Sequence, residues 1–130
     1  MIFGIGTDIV QISRIQENLD RYGDRFAKRI LSAAELDDYQ ATAFPAHFVA
    51  RRFAAKEALV KAIGTGFARG VSFHDIIITH DEAGKPMFRL EGRVAELREE
   101  MGIGEDFVSI SDERAYAVAF VTLLKASATS

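Results

Sequence analysis

The chain has 130 residues, of which 48% are hydrophobic and 27% are charged; this composition is typical of one folded domain and argues against disorder. Its formal net charge of −3 gives no overall attraction to nucleic acid, and its apolar runs fall short of the roughly 20 residues needed to span a membrane. The absence of cysteine excludes disulfides and thiolate metal sites, and favours a cytoplasmic location.

The chain is predicted to begin with a strand followed by a helix in two pieces. Residues 2–10 have the composition of a strand, and Ser13 with Gln16 resembles a capping box at a helix start. An apolar stripe at helical spacing follows, interrupted by Gly23; it consists of Ile15, Leu19, Tyr22, Phe26 and Ile30.

Two further helices are predicted before the middle of the chain. Ser32 and Glu35 repeat the capping signature and start a short helix over residues 33–40. Pro45 suits the first turn of a long helix over residues 46–63, and the glycines of residues 64–66 stop it.

The second half of the chain is predicted to contain hairpins. Residues 76–79 and 87–90 form one, a helix around residues 94–101 follows, and residues 107–111 and 116–123 form the other. Helices and hairpins segregated in this way predict an α+β fold, a mainly antiparallel sheet packed on a long central helix. We expect a single domain over residues 1–125 and a short flexible tail over residues 126–130.

Two acidic residues are the first candidates for chemistry. The period of two places Asp8 on the same strand face as Gly4 and Gly6, and 100° steps place Glu57 beside small residues and Lys61 on the long helix. Carboxylates with free space suit Mg²⁺, which commonly takes only one or two of them. The alternatives to a catalytic role are structural. Asp8 could cap the turn at the end of its strand, and Glu57 and Lys61 could form an i, i+4 ion pair on the helix surface.

The turn after Lys61 is a candidate phosphate contact. Gly64-Thr65-Gly66 offers backbone amides and a hydroxyl, but it is not a P-loop, because a P-loop has its glycines before a helix and these follow one. The negative end of the helix dipole favours a cation here. A phosphate would therefore need Lys61 and a metal to offset that field.

The first helical segment carries a basic stripe. At 100° per residue, Arg21, Arg25 and Lys28 fall within about 40° of Arg14. Such a row of cations can bind an acidic helix of a partner protein. The alternative, to which we give equal weight, is that the row is only a solvent-exposed face without a partner. Nucleic acid is disfavoured as a partner, because the chain shows no aromatic stacking array.

Several motifs together cover nearly the whole chain: GIGTDIV at residues 4–10, RFAAKEA at 52–58, KAIGTG at 61–66, GKP at 84–86 and VSISDERAYA at 108–117. In this combination the chain resembles the 4′-phosphopantetheinyl transferases, and within them the small bacterial holo-acyl-carrier-protein synthases. The resemblance implies transfer of 4′-phosphopantetheine from coenzyme A to a serine of apo acyl carrier protein, with release of adenosine 3′,5′-bisphosphate, in fatty acid biosynthesis.

The resemblance also implies roles for individual residues. Asp8 and Glu57 are expected to hold Mg²⁺ on the coenzyme's pyrophosphate, and Lys61 to contact phosphate; these three form the expected catalytic set. Gly64 and Thr65 are expected to lie against the coenzyme. By the same resemblance, Arg14, Arg21 and Arg25 dock the carrier protein, and the protein is a homotrimer with each active site between adjacent subunits.

The chain departs from the family pattern at one position. Many members have a histidine just before the Val-Ser of the fourth strand, and this chain has Phe107. Arg52 and Lys85, with the adjacent Pro86, are therefore expected to contribute more to coenzyme binding. The general base stays open between Glu57, a metal-bound water and an acid of the carrier protein. A non-catalytic module that binds an acidic partner and a metal-dependent nucleotide hydrolase are the alternative functions.

Overall fold

The computed structural model describes residues 1–127 of the chain. The elements in chain order are β1 (Ile2–Gln11), α1 (Ile12–Tyr22), α2 (Asp24–Ile30), α3 (Ala33–Ala41), α4 (Pro45–Ile63), a 3-10 turn (Phe73–Asp75), β2 (Ile76–His80), β3 (Pro86–Leu90), α5 (Gly92–Glu100), β4 (Ile103–Asp112) and β5 (Tyr116–Lys125).

Two antiparallel sheets organise these elements. β1, β5 and β4 form a three-stranded sheet in that order, and β2 and β3 form a separate hairpin. Both hairpins were predicted from the sequence, although β4 begins four residues earlier than expected. The predicted α+β architecture, an antiparallel sheet packed on a long helix, is confirmed.

Helix α4 lies at the centre of the fold. Pro45 occupies its first turn, and it ends at Gly64, which adopts a left-handed conformation (φ 94°) while its amide donates to the Val60 carbonyl at 2.9 Å. Thirteen of its 19 residues are buried. α4 is therefore a core helix surrounded on most sides, and only a narrow strip of it faces solvent.

Two glycines of β1 allow the strand to lie directly against α4. A Cβ built on Gly6 would fall 1.9 Å from the Ala58 carbonyl oxygen, and one on Gly4 would fall 2.1 Å from the Ala62 carbonyl oxygen. The expectation that these glycines leave free space beside Asp8 is therefore wrong. The backbone of α4 fills the space, and the glycines bring Asp8 close to the helix.

Of the two capping boxes predicted at helix starts, the one at α3 is present and the one at α1 is not. The capping box of Ser32 and Glu35 is confirmed, with the Ser32 amide donating to Glu35 Oε1 at 2.9 Å. The capping box predicted at Ser13 and Gln16 is wrong. β1 runs directly into α1, and the amide of Ile12 instead donates to the Ala115 carbonyl at 2.8 Å.

The C-terminal end of the chain is described as far as Ser127. β5 ends at Lys125, and the amide of Ala126 donates to the Gly102 carbonyl at 2.8 Å, so the first residue of the predicted tail is tied to the turn between α5 and β4. Residues 128–130 of that tail lie outside the described residues. Within residues 1–127, no helix combines the length and the hydrophobicity that crossing a membrane requires.

Candidate active site

Asp8, Lys61 and Glu57 come together where β1 passes the C-terminal half of α4. Lys61 Nζ lies 2.9 Å from Asp8 Oδ1 and donates a second hydrogen bond to the Thr7 carbonyl at 3.1 Å. The Lys61 side chain is 51% exposed, whereas that of Asp8 is only 15% exposed. The ammonium group thus faces solvent, and the carboxylate is held in a recess beneath it.

The sheet holds Asp8 in this place. Asp8 pairs with Ala119 of β5 in the middle of the antiparallel ladder, and the Thr7 hydroxyl donates to the Ala119 carbonyl at 3.1 Å. The contact of Gly6 with Ala58 fixes the same stretch of strand against α4. The backbone around Asp8 is therefore held from two sides.

Glu57 lies one turn before Lys61 on α4 and is half-buried. Burial raises the pKa of its carboxyl above the ordinary value, the negative charge of Asp8 raises it further, and Lys61 partly opposes this change. The two carboxylates are thus close enough to repel one another. A divalent cation between them would relieve that repulsion, so the donor set fits a magnesium ion.

The number of carboxylates at the site, two, is also a number that a magnesium ion commonly takes from a protein. Among residues 1–127, no three histidine, cysteine, aspartate or glutamate side chains form a metal-binding group. Magnesium commonly uses one or two carboxylates and completes its octahedron with water and substrate phosphate. Asp8 and Glu57 suffice for that arrangement and do not suit a closed structural zinc site.

A cavity of about 470 Å³ opens beside Asp8. Its walls include Asp8, Phe53, Tyr116 and Arg14. The volume is within the usual range for small-ligand sites. The cavity therefore connects Asp8 to Arg14, the first cation of the predicted basic stripe.

The four cations of the basic stripe, which we call the docking surface, are Arg14, Arg21, Arg25 and Lys28. All four are exposed, and none of them forms an ion pair within residues 1–127. They lie on two helices, because Gly23 (φ 59°) ends α1 and precedes α2. The stripe was predicted by counting 100° per residue along one continuous helix, and this is wrong at Gly23, where the helix is interrupted. The four positive charges are nevertheless exposed to a partner.

Gly64 and Thr65 follow Lys61 at the end of α4. Gly64 is exposed, and the Thr65 hydroxyl donates to the Gly66 carbonyl at 2.9 Å. Both residues therefore lie within one turn of Lys61, on the solvent side of the helix end, as the motif predicts. Their contact with a coenzyme stays a prediction.

Arg52 occupies a different place from the rest of the predicted site. Its side chain is only 7% exposed, and its Nη1 lies 2.9 Å from Glu35 Oε2 and 3.1 Å from the Ile78 carbonyl oxygen. Its guanidinium also lies over the Phe48 ring at 4.5 Å. Because these buried contacts engage the guanidinium, we leave Arg52 out of the proposed coenzyme site.

Lys85, Pro86 and Phe107 line a second cavity, of about 480 Å³, together with Arg98 and Asp106. It has no lining residue in common with the cavity beside Asp8. Within one chain, the structure therefore does not bring Lys85 and Pro86 together with the acidic pair.

Sequence reasoning missed one feature of the region. Glu35, predicted only as a helix cap, also forms ion pairs with Arg52 and with Lys56, and Lys56 is fully buried. A signal was present, since Lys56 has Phe53 and Leu59 three residues to either side and so lies on an apolar helix face. A charged residue on such a face needs a buried partner.

Comparison with known proteins identifies the family. The model of the 4′-phosphopantetheinyl transferase superfamily matches residues 4–121. A curated relative, the holo-[acyl-carrier-protein] synthase of Vibrio cholerae, is 51% identical over 123 residues, which cover 95% of this chain and 98% of the relative.

Solved structures agree with the sequence relatives. Holo-[acyl-carrier-protein] synthase from Neisseria meningitidis superposes with a TM-score of 0.91 at 45% identity, covering 96% of this chain and all of that one. The Bacillus anthracis enzyme, solved in complex with coenzyme A (3′,5′-ADP), superposes with a TM-score of 0.80 at 38% identity, covering 98% and 99%. The chain therefore belongs to the holo-[acyl-carrier-protein] synthases of the 4′-phosphopantetheinyl transferase superfamily.

Proposed function

We propose that the protein transfers the 4′-phosphopantetheine group of coenzyme A to a serine of apo acyl carrier protein, in fatty acid biosynthesis, and that Asp8, Glu57 and Lys61 carry the reaction. Its membership of the synthase family supports the activity. The observation that carries the assignment of residues is the 2.9 Å contact of Lys61 with Asp8 beside the half-buried Glu57.

Asp8 and Glu57 are proposed to hold Mg²⁺ through their carboxylate oxygens. The bound ion supplies neutralisation of the pyrophosphate charge, which phosphoryl transfer depends on. The raised pKa of Glu57 supports this role, because the negative charge of Asp8 contributes to it and a cation would offset that charge.

Lys61 is proposed to stabilise the negative charge that develops on the leaving bisphosphate. Its ammonium group faces solvent at the end of α4, three residues before Gly64, where a coenzyme phosphate can approach it. In the reaction, the serine oxygen of the carrier forms a bond to the phosphorus of the phosphopantetheine group. The P–O bond to the departing adenosine 3′,5′-bisphosphate breaks, and the hydroxyl proton passes to a general base, for which Glu57, a metal-bound water and an acid of the carrier are the candidates.

The docking surface is proposed to receive the acidic carrier protein. Its side chains are exposed and free of ion pairs within residues 1–127, so no ion pair described there has to break on binding. Arg14 also lines the cavity beside Asp8. A carrier bound to these cations would therefore present its serine near the acidic pair.

The protein is proposed to act as a homotrimer with active sites between subunits. The outer face of the three-stranded sheet exposes a group of large apolar side chains, each 40–66% accessible: Ile5, Ile9, Phe107, Tyr116, Val118 and Phe120. An exposed apolar surface of this kind is typical of a subunit interface. Association through it would allow the cavity of Lys85 and Pro86 to adjoin the Asp8 site of a neighbour.

The decisive experiment is mass spectrometry of apo carrier protein after incubation with the protein, coenzyme A and Mg²⁺. We expect a mass increase equal to one phosphopantetheine group, lost in Asp8→Ala while carrier binding survives. If the mass of the carrier does not increase, although another synthase modifies the same carrier sample, the proposed transferase activity is refuted. If the protein were only a binding module, the wild type and Asp8→Ala would both bind the carrier without modifying it. If it were a nucleotide hydrolase, it would release bisphosphate from coenzyme A in the absence of a carrier.

Two further properties can be tested directly. Light scattering of the purified protein is expected to give a mass of three chains, and a monomer at micromolar concentration would contradict the trimer. The cysteine-free sequence supports a cytoplasmic location, which fractionation of the native cells would test.

A further inference from the structure

A buried network of charges joins α3 to α4 on the side of α4 away from the active site. Glu35 Oε1 lies 2.6 Å from Lys56 Nζ, and Glu35 Oε2 lies 2.9 Å from Arg52 Nη1. The carboxylate also accepts hydrogen bonds from the amides of Ser32 and Ile78, at 2.9 and 3.1 Å. With the Ser32 hydroxyl at 3.2 Å, Glu35 is bound by five donor groups, which come from the start of α3, from α4 and from β2.

The cations of the network are equally engaged. Lys56 Nζ donates to the Ile30 carbonyl at 2.7 Å and to the Phe73 carbonyl at 3.1 Å, in addition to Glu35. These three acceptors match the three N–H groups of a charged ammonium. Within residues 1–127, no buried side-chain nitrogen or oxygen lacks a hydrogen-bond partner. The network is therefore complete, and it allows α4 little freedom to move.

The network is not explained by stability alone. Burial by itself would raise the pKa of Glu35, but the charge of Lys56 and the hydrogen bonds from Lys56, Ser32 and Arg52 lower it below its ordinary value, so the carboxylate is ionised. Buried ion clusters often stabilise no more than apolar side chains of the same volume. What such a cluster can supply instead is a defined orientation of the elements that it joins.

The orientation of α4 decides where the catalytic side chains lie. Arg52 and Lys56 are one turn apart on one face, and Glu57 and Lys61 are one turn apart on another, so any rotation of the helix moves both pairs together. At a side-chain radius of about 6 Å, a rotation of about 10° displaces a carboxylate by about 1 Å. A misplacement of about 1 Å can lower a reaction rate by about 100-fold.

We propose that Glu35 is a positioning residue of the transferase, which acts through Arg52 and Lys56 to set the rotation of α4 and so the placement of Glu57 and Lys61 against Asp8. This inference rests on the proposed function. Lys56 extends the same control to α2, which carries Arg25 and Lys28 of the docking surface, since it donates to the carbonyl of Ile30, the last residue of that helix.

Two variants test the proposal without leaving an unpaired buried charge. Glu35→Asp keeps all charges but is one methylene shorter, so Arg52 and Lys56 must shift to keep their contacts. The triple variant Glu35→Leu/Arg52→Met/Lys56→Met replaces the network by apolar side chains of similar size, which proteins often tolerate. Val94→Ala, a buried apolar truncation on α5, is the control for general loss of stability.

Each variant is compared with wild type by thermal unfolding, by kcat and KM for the carrier, and by calorimetric titration of coenzyme A with and without Mg²⁺. In folded Glu35→Asp and triple variants we expect kcat to fall at least about tenfold, with KM for the carrier within about twofold. We also expect the gain in coenzyme affinity from Mg²⁺ to shrink. Val94→Ala is expected to keep both properties.

The outcomes separate this inference from the function on which it rests. Wild-type kcat and wild-type metal dependence in either folded variant would overturn the positioning role, and so would an equal loss in Val94→Ala. If the triple variant does not fold, Glu35→Asp alone decides between these results. Absence of transfer by the wild type would instead refute the proposed function.

Discussion

Replacing Gly6 with alanine is expected to push β1 away from α4 and to displace Asp8. The added Cβ would lie 1.9 Å from the Ala58 carbonyl oxygen and 2.7 Å from the Ala62 amide nitrogen, and both are backbone atoms of a buried helix that has little room to yield. The first distance must lengthen to at least 3.0 Å, so strand and helix must separate by about 1.1 Å.

The separation has two measurable consequences. Overpacking of this kind costs about 1–3 kcal/mol, and in a chain of this size each kcal/mol lowers Tm by about 4 °C. A shift of about 1.1 Å would also lengthen the 2.9 Å contact of Lys61 with Asp8 beyond hydrogen-bonding distance, and we expect kcat to fall by about 100-fold.

Thermal unfolding by circular dichroism and the carrier transfer assay measure the two effects. Gly104→Ala is the matched control, because its Cβ would meet Ala126 at 3.0 Å at the chain end, where a shift of a few tenths of an ångström is tolerated. We expect near-normal activity from it. A Gly6→Ala protein with unchanged Tm and kcat would show that the close approach of β1 to α4 does not place Asp8.

Three further predictions concern charged residues. Lys61→Met is expected to lower kcat by about 100-fold at saturating Mg²⁺, and a wild-type rate would exclude its proposed role. Glu35→Gln is expected to cost about 3–5 kcal/mol in urea unfolding at neutral pH. Because folding lowers the pKa of Glu35, its ionised carboxylate stabilises the fold fully above pH 4.5, and this contribution is lost as pH falls through the lower folded pKa. A difference in the free energy of unfolding between wild type and Glu35→Gln that stays constant below pH 4.5 would contradict this reasoning. Arg21→Glu is expected to raise KM for the carrier about tenfold in a salt-dependent way. Arg89→Glu, a charge reversal at another exposed arginine, which lies on β3 and pairs with Glu91 at 3.3 Å, is expected to leave KM unaltered.

Several features follow from local sequence signals. Pro45 and Gly64 mark the ends of α4, and Ser32 with Glu35 marks the start of α3, because a fixed φ, a left-handed turn and a capping hydrogen bond each involve only neighbouring residues. The helical spacing of Glu57 and Lys61 likewise follows from the sequence. The motifs also identified the family correctly.

Other features depend on contacts between distant parts of the chain. Arg52 and Glu35 look like ordinary surface or capping residues, and the spacing of Lys56 shows only that it lies on an apolar helix face. Burial against α3 and β2 makes the three residues one network. The alternation of β1 predicts free space beside Gly4 and Gly6, but the backbone of α4 occupies that space. Residue spacing cannot identify these partners, because they are separated by 17 to 58 positions along the chain and meet only after folding.

The sequence by itself therefore determined most of the elements and the family, and it named Asp8 and Glu57 as candidate residues, since periodicity and motif spacing are local properties of the chain. The tertiary structure decided which charges are buried, how closely β1 approaches α4, and that Lys85 and Asp8 line separate cavities. The physical reason is that desolvation and close packing act between surfaces that exist only in the folded molecule.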